Sequence, residues 1–120
     1  MKTDLQHVRA NVRNLDLAIK WYTEVLGFQL DSTWPPENPN YADFVCKTGT
    51  ATFSIMVDVK GASSARFNFD VQDVDQEWQR LRDKTSIVET IHDTPYGTRK
   101  FAIEDLDGNV LGFSRPWGQK

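Results

Sequence analysis

The sequence predicts an α+β fold made from two copies of one strand-helix-strand-strand-strand unit. Three observations carry that prediction. Polar and apolar side chains alternate with period two at His7–Val12 and again at Arg66–Val71. Each alternating run leads into a helix start, Asn14-Leu15 in the first half and Asp73-Val74 in the second. Between the halves, Asp58 to Ser64 reads as a linker, with Lys60-Gly61-Ala62-Ser63-Ser64 at its centre. Placed on one another, His7 meets Arg66, Arg9 meets Asn68, Asn11 meets Asp70 and Leu15 meets Val74. The repeat is one of pattern, not of residue identity.

The elements follow in order. His7–Val12 is a half-buried strand, since Val8, Ala10 and Val12 form one apolar face. Asn14 is a suitable N-cap, and Leu15, Ala18, Ile19, Tyr22 and Leu26 make one helical stripe. Gly27 stops that helix. Phe28 to Thr33 is a strand candidate. Trp34 to Asn40 contains three prolines and reads as a loop, because proline removes a donor and fixes the backbone. Tyr41 to Lys47 and Ala51 to Val57 are strands about Thr48-Gly49-Thr50. In the second half, Asp73 caps a helix with Gln76 three residues on, and Val74, Trp78 and Leu81 mark its buried stripe. Ile87 to Ile91, Thr98 to Ile103 and Val110 to Ser114 complete the strands. Asp107-Gly108-Asn109 turns between the last two.

Composition narrows the function. The chain has 120 residues, 39% hydrophobic and 26% charged, which suits one domain with a core. Its net charge is -3 and no basic stripe is visible, so nucleic acid is not an expected partner. No apolar run reaches the roughly 20 residues of a membrane span, and the first ten residues lack a signal core. A cytoplasmic protein with no membrane partner is therefore expected. The single cysteine, Cys46, excludes an internal disulfide and reads as a small core residue.

The motifs carry a resemblance. His7 to Leu30, with Asn14-Leu15, Trp21-Tyr22 and Val25-Leu26-Gly27-Phe28, is similar to the opening of the vicinal oxygen chelate superfamily. That superfamily holds glyoxalase I, extradiol dioxygenases, fosfomycin-resistance enzymes and bleomycin-resistance proteins. Phe69-Asp70-Val71-Gln72-Asp73-Val74-Asp75 resembles the start of its second module. Tyr96 to Phe101 and Asp105 to Phe113 resemble its C-terminal signature, with Leu106 where the family usually has proline. The resemblance implies one glyoxalase-like domain over residues 1–120, with modules at about 5–58 and 64–116. It further implies a curved sheet around a concave cavity, and a homodimer.

Metal-dependent members place their ligands on the concave face. Matched residue by residue, His7 falls at the first-strand histidine, Arg66 at the second-module histidine and Gly112 at the last-strand glutamate. Ala51 to Val57 offers no carboxylate. Guanidinium cannot ligate a cation and repels it, so the set departs from metal chemistry. By strand parity His7, Arg9, Asn11, Ser54, Met56, Arg66, Asn68 and Asp70 face away from the helices, with Gly112 and Ser114 leaving space. Trp34, Tyr41, Phe44 and Tyr96 are candidate aromatics at the mouth.

The resulting expectation is a metal-free small-molecule-binding protein, similar to the bleomycin-resistance branch, with no cofactor. Its ligand would be a polar or anionic aromatic held by His7, Arg9, Asn11, Ser54, Met56, Arg66, Asn68, Trp34, Tyr96 and Gly112. No catalytic residue is assigned. The alternative is a lyase, isomerase or dioxygenase using a divalent metal. A metal-free enzyme with His7 as base and Arg66 as oxyanion partner ranks below the binding reading, since no third residue orients His7. Several residues have plainer readings. Arg9 and Arg66 can pair with Asp70 or another acid, and Trp34 can be a surface anchor.

Overall fold

A computed structural model describes residues 1–2, 5–46, 51–58 and 65–116. The Thr48-Gly49-Thr50 connection and most of the linker, residues 59–64, lie outside the described residues. The chain divides into two compact units, Met1–Ser63 and Ser64–Lys120.

The first unit runs β1 (His7–Val12), α1 (Leu15–Lys20), β2 (Leu30–Trp34), β3 (Tyr41–Phe44) and β4 (Thr52–Val57). Its sheet has the order β1-β4-β3-β2, with β1 parallel to β4 and the other pairs antiparallel. The Asn14 side chain accepts from the Leu17 amide at 3.0 Å, which satisfies a donor the helix cannot. After Lys20 the helix widens into a π-helical segment, Trp21–Val25, and the Leu26 amide reaches the Trp21 carbonyl at 3.3 Å. Gly27, at φ +82°, ends it in the left-handed region. The expected stripe is buried at Leu15, Ala18, Tyr22 and Leu26. Tyr22 forms the centre of a ring cluster, 5.4 Å from Phe44 and 5.5 Å from Phe53 between centroids.

Three expectations change here. Trp34 closes β2 instead of opening the loop, because it pairs with Tyr41 and its carbonyl accepts from the Asn40 amide. Phe44 lies in the core and is therefore not a mouth residue. β3 ends at Phe44, so Cys46 falls beyond the strand and is exposed.

The second unit repeats the order: β5 (Arg66–Asp70), α2 (Val74–Leu81), β6 (Ser86–Asp93), β7 (Thr98–Glu104) and β8 (Val110–Pro116). Its sheet order, β5-β8-β7-β6, has the same pattern, with β5 parallel to β8. The Asp73 carboxylate accepts from the Gln76 amide at 3.0 Å and starts α2. Trp78, Phe101, Phe113 and Phe69 form the core rings, each about 5.4 to 5.5 Å from the next. Asp105 holds the turn before β8: its Oδ1 accepts from the Asp107 and Asn109 amides, and its Oδ2 from Asn109 Nδ2. Gly108, at φ +86°, makes that turn possible.

Candidate functional site

Each sheet has one face under its helix and one polar face, and the register says which residues share the latter. In the first unit, Asn11, Met56, Tyr41 and Trp34 are successive partners in a row crossing all four strands. A neighbouring row runs Arg9, Ser54, Asp43 and Ser32. His7 stands beside Thr52 at the start of β1. Five of the expected site residues on this sheet, together with Trp34, therefore lie on one face.

Their hydrogen bonds separate them. Arg9 is exposed, and its Nη1 lies 3.0 Å from Met56 Sδ, so the guanidinium and the thioether are neighbours. Asn11 donates to Asp58 at 3.2 Å. Ser54 is fully buried and its hydroxyl donates to the Val8 carbonyl at 3.0 Å, which commits its proton within the sheet. Asp43 Oδ1 accepts from both the amide and the hydroxyl of Ser32. Trp34 is 64% exposed, and Tyr41 and Met56 are half-buried. The first row is thus an accessible strip of two rings and a thioether, and such surfaces stack on planar ligands.

In the second unit the polar face carries a charged cluster. Asn68, Gly112, Ala102 and Glu89 are successive partners across β5, β8, β7 and β6. Arg66 reaches across the small residues Gly112 and Ala102. Its Nη1 donates to Glu89 Oε1 at 2.7 Å. Its Nε donates to Asn68 Oδ1 at 3.4 Å. Glu89 Oε2 also lies 3.4 Å from Lys100 Nζ and 4.0 Å from His92 Nε2. The Arg66 hydrogen bond holds the Glu89 carboxyl below the usual glutamate range, against the opposing effect of burial, and the charges of Arg66 and Lys100 add to the lowering. A Cβ on Gly112 would run into Asn68 Oδ1, so the glycine is what lets these side chains lie flat.

Arg66 therefore has an acid partner, as its plainer reading allowed, but the acid is Glu89 and not Asp70. Sequence reasoning missed Glu89, Lys100 and Asp43. Lys100 was legible from its parity with Ala102 against the core residue Phe101. Tyr96 sits 70% exposed in the turn between β6 and β7, where Thr94 and Thr98 bind one another. A separate polar depression of about 370 Å³ in the first unit is lined by Arg13, Asn14, Asp16 and Asn38, among others, none of them a predicted ligand contact.

The positions that hold metal in the resembled family do not fit a divalent ion. His7 is accompanied on its face by Ser54, whose proton is committed, and Met56, a soft donor already beside a guanidinium. Arg66 lies where a second imidazole would be needed, and Gly112 offers no donor. Among the described residues, no three His, Cys, Asp or Glu side chains gather where they could hold an ion.

A family model described as Glyoxalase/Bleomycin resistance protein/Dioxygenase superfamily matches residues 4–113. TioX from Micromonospora sp. ML1 is similar in fold, with a TM-score of 0.79 and 24% identity over 95% of this chain and 99% of that one. TnmS3, an antibiotic binding protein from Streptomyces sp. CB03234, gives a TM-score of 0.80 at 23% identity, over 96% and 97% of the two chains. A glyoxalase/bleomycin resistance protein from the same Streptomyces gives 0.76 at 22% identity, over 93% and 100%. No curated protein matches the chain.

Proposed function

The chain belongs to the Glyoxalase/Bleomycin resistance protein/Dioxygenase superfamily, and from that premise we propose that it is a metal-free binding protein for a planar, polar or anionic aromatic small molecule. The observation that carries the reading is the row Trp34, Tyr41, Met56 and Asn11 on the polar face of the first sheet. Two rings and a thioether present flat, polarisable surface, and Arg9 beside Met56 adds a cation at its margin. His7 lies on the same face and supplies a further polar contact. The second sheet, taken by itself, carries the Arg66 guanidinium beside Asn68 and Gly112. TnmS3, described as antibiotic binding, supports the choice of a drug-like small molecule as the ligand class.

Binding alone needs no catalytic group, and none is assigned. The donor set at the family's metal positions argues against a step through a metal. The reading includes a homodimer, for which sedimentation at micromolar concentration is the direct measurement.

Calorimetric titration with bleomycin-type drugs and small aromatic acids is the test. Binding of at least one, undiminished after dialysis against a chelator, is the expected result. Trp34→Ala weakens it about three- to tenfold, the worth of one good stacking contact. A panel with no binder, or binding that disappears with the chelator and returns with a divalent ion, overturns the proposal.

A further inference from the structure

On the second sheet, one carboxylate stands between two permanent cations. Glu89 gives one oxygen to Arg66 and lies near Lys100 with the other. Asp70 and Glu104 share this face through their places opposite Ser114 and Val110. Among the described residues, neither forms an ion pair with Arg66 or Lys100. Within the ion-paired group two cations meet one carboxylate, while Asp70 and Glu104, in the rows of Lys100 and Arg66, make the face as a whole acidic. The guanidinium is also fixed. Nη1 is held by Glu89 and Nε by Asn68, while Nη2 is turned toward the bare Cα of Gly112. Arg66 and Lys100 remain partly open, with 37% and 19% of their side chains exposed.

We propose that Arg66 and Lys100 form an oxyanion subsite with Glu89 as its built-in occupant, so that Glu89 sets how strongly the protein favours acidic over neutral ligands. The inference deepens the small-molecule reading and rests on it. A guanidinium fork matches a carboxylate in geometry, and one already immobilised loses little freedom on binding. Gly112 and Ala102 put no large side chain in the row between Asn68 and Glu89. Glu89 does two opposing things there. It orients the fork, and it offsets part of the charge that an incoming carboxylate would meet.

The probes are benzoate and its neutral analogue benzamide, titrated at low ionic strength and followed by the NMR resonances of the arginine Nε groups and the backbone amides. Benzoate is expected to move Arg66 and Lys100, and benzamide to leave both in place. Glu89→Gln strengthens benzoate binding about fivefold, the upper worth of a partly exposed ion pair, and leaves benzamide unchanged. Lys100→Met weakens benzoate while keeping the Arg66–Glu89 pair. Glu89→Gln lowering benzoate affinity makes Glu89 a structural counter-ion only and overturns the inference. Should Glu89→Gln fail to fold, Lys100→Met decides, and benzoate affinity unchanged in it also overturns the inference. Equal binding of both probes removes the anion preference and leaves the small-molecule reading standing. Absence of binding by any aromatic removes both.

Discussion

Glu89 couples the second unit to acid. Its carboxyl is held below the ordinary glutamate range by the Arg66 hydrogen bond, so the folded protein binds that proton more weakly than the unfolded chain. The stabilisation is then complete above the ordinary range and drains away as pH falls through it to the lowered folded value. Thermal melts between pH 7 and pH 3 should show a steeper acid loss in the native protein than in Glu89→Gln, and parallel curves would mean the pair contributes nothing. Asp105 is a different kind of acid, nearly buried and filled by three donors of its own turn. Asp105→Ala leaves buried N–H groups unmatched and should cost about 2–3 kcal/mol in urea unfolding.

At the level of elements, the two helix starts are the simplest to probe. Asn14→Ala and Asp73→Ala each remove a side-chain acceptor and should each cost about 1 kcal/mol of unfolding free energy. These caps were legible in the sequence because a cap depends on residues two or three positions away. The β1 and β5 alternation and the Gly108 turn were legible for the same reason. Trp34 was not, because its membership of β2 comes from Tyr41 across the ladder and not from the prolines that follow it. Glu89 was hidden more deeply. Strict alternation puts it with Ile87, on the helix side. Two register irregularities in β6, between Ile87 and Glu89 and between Glu89 and His92, bring both Glu89 and His92 to the polar face. Such extra residues are a property of the pairing with β7, and no local pattern announces them. Cys46 misled in the opposite direction, since a small apolar residue after a strand looks like core until the strand is seen to stop at Phe44.

For the molecule as a whole, the duplication in pattern became a duplication in topology, with the same strand order and the same parallel pair in each unit. The cores are built alike although their residues differ: Tyr22, Phe44 and Phe53 in one, Trp78, Phe101 and Phe113 in the other. Phe53→Ala and Phe101→Ala should each cost about 3–5 kcal/mol, measured by chemical denaturation. The polar faces did not duplicate. One became an aromatic strip and the other an ion cluster, which is why the repeat predicts the scaffold well and the chemistry poorly. The slack held in β6 also alters how the chain tolerates a change of length. Losing one residue from a strand ordinarily turns its inside out, yet deletion of Val88 would let Ile87 and Glu89 keep their present partners, Ile103 and Ala102. A shortened protein that folds with the Arg66 contact intact would make this a strand position where evolution can erase a codon without exchanging the two faces of the sheet.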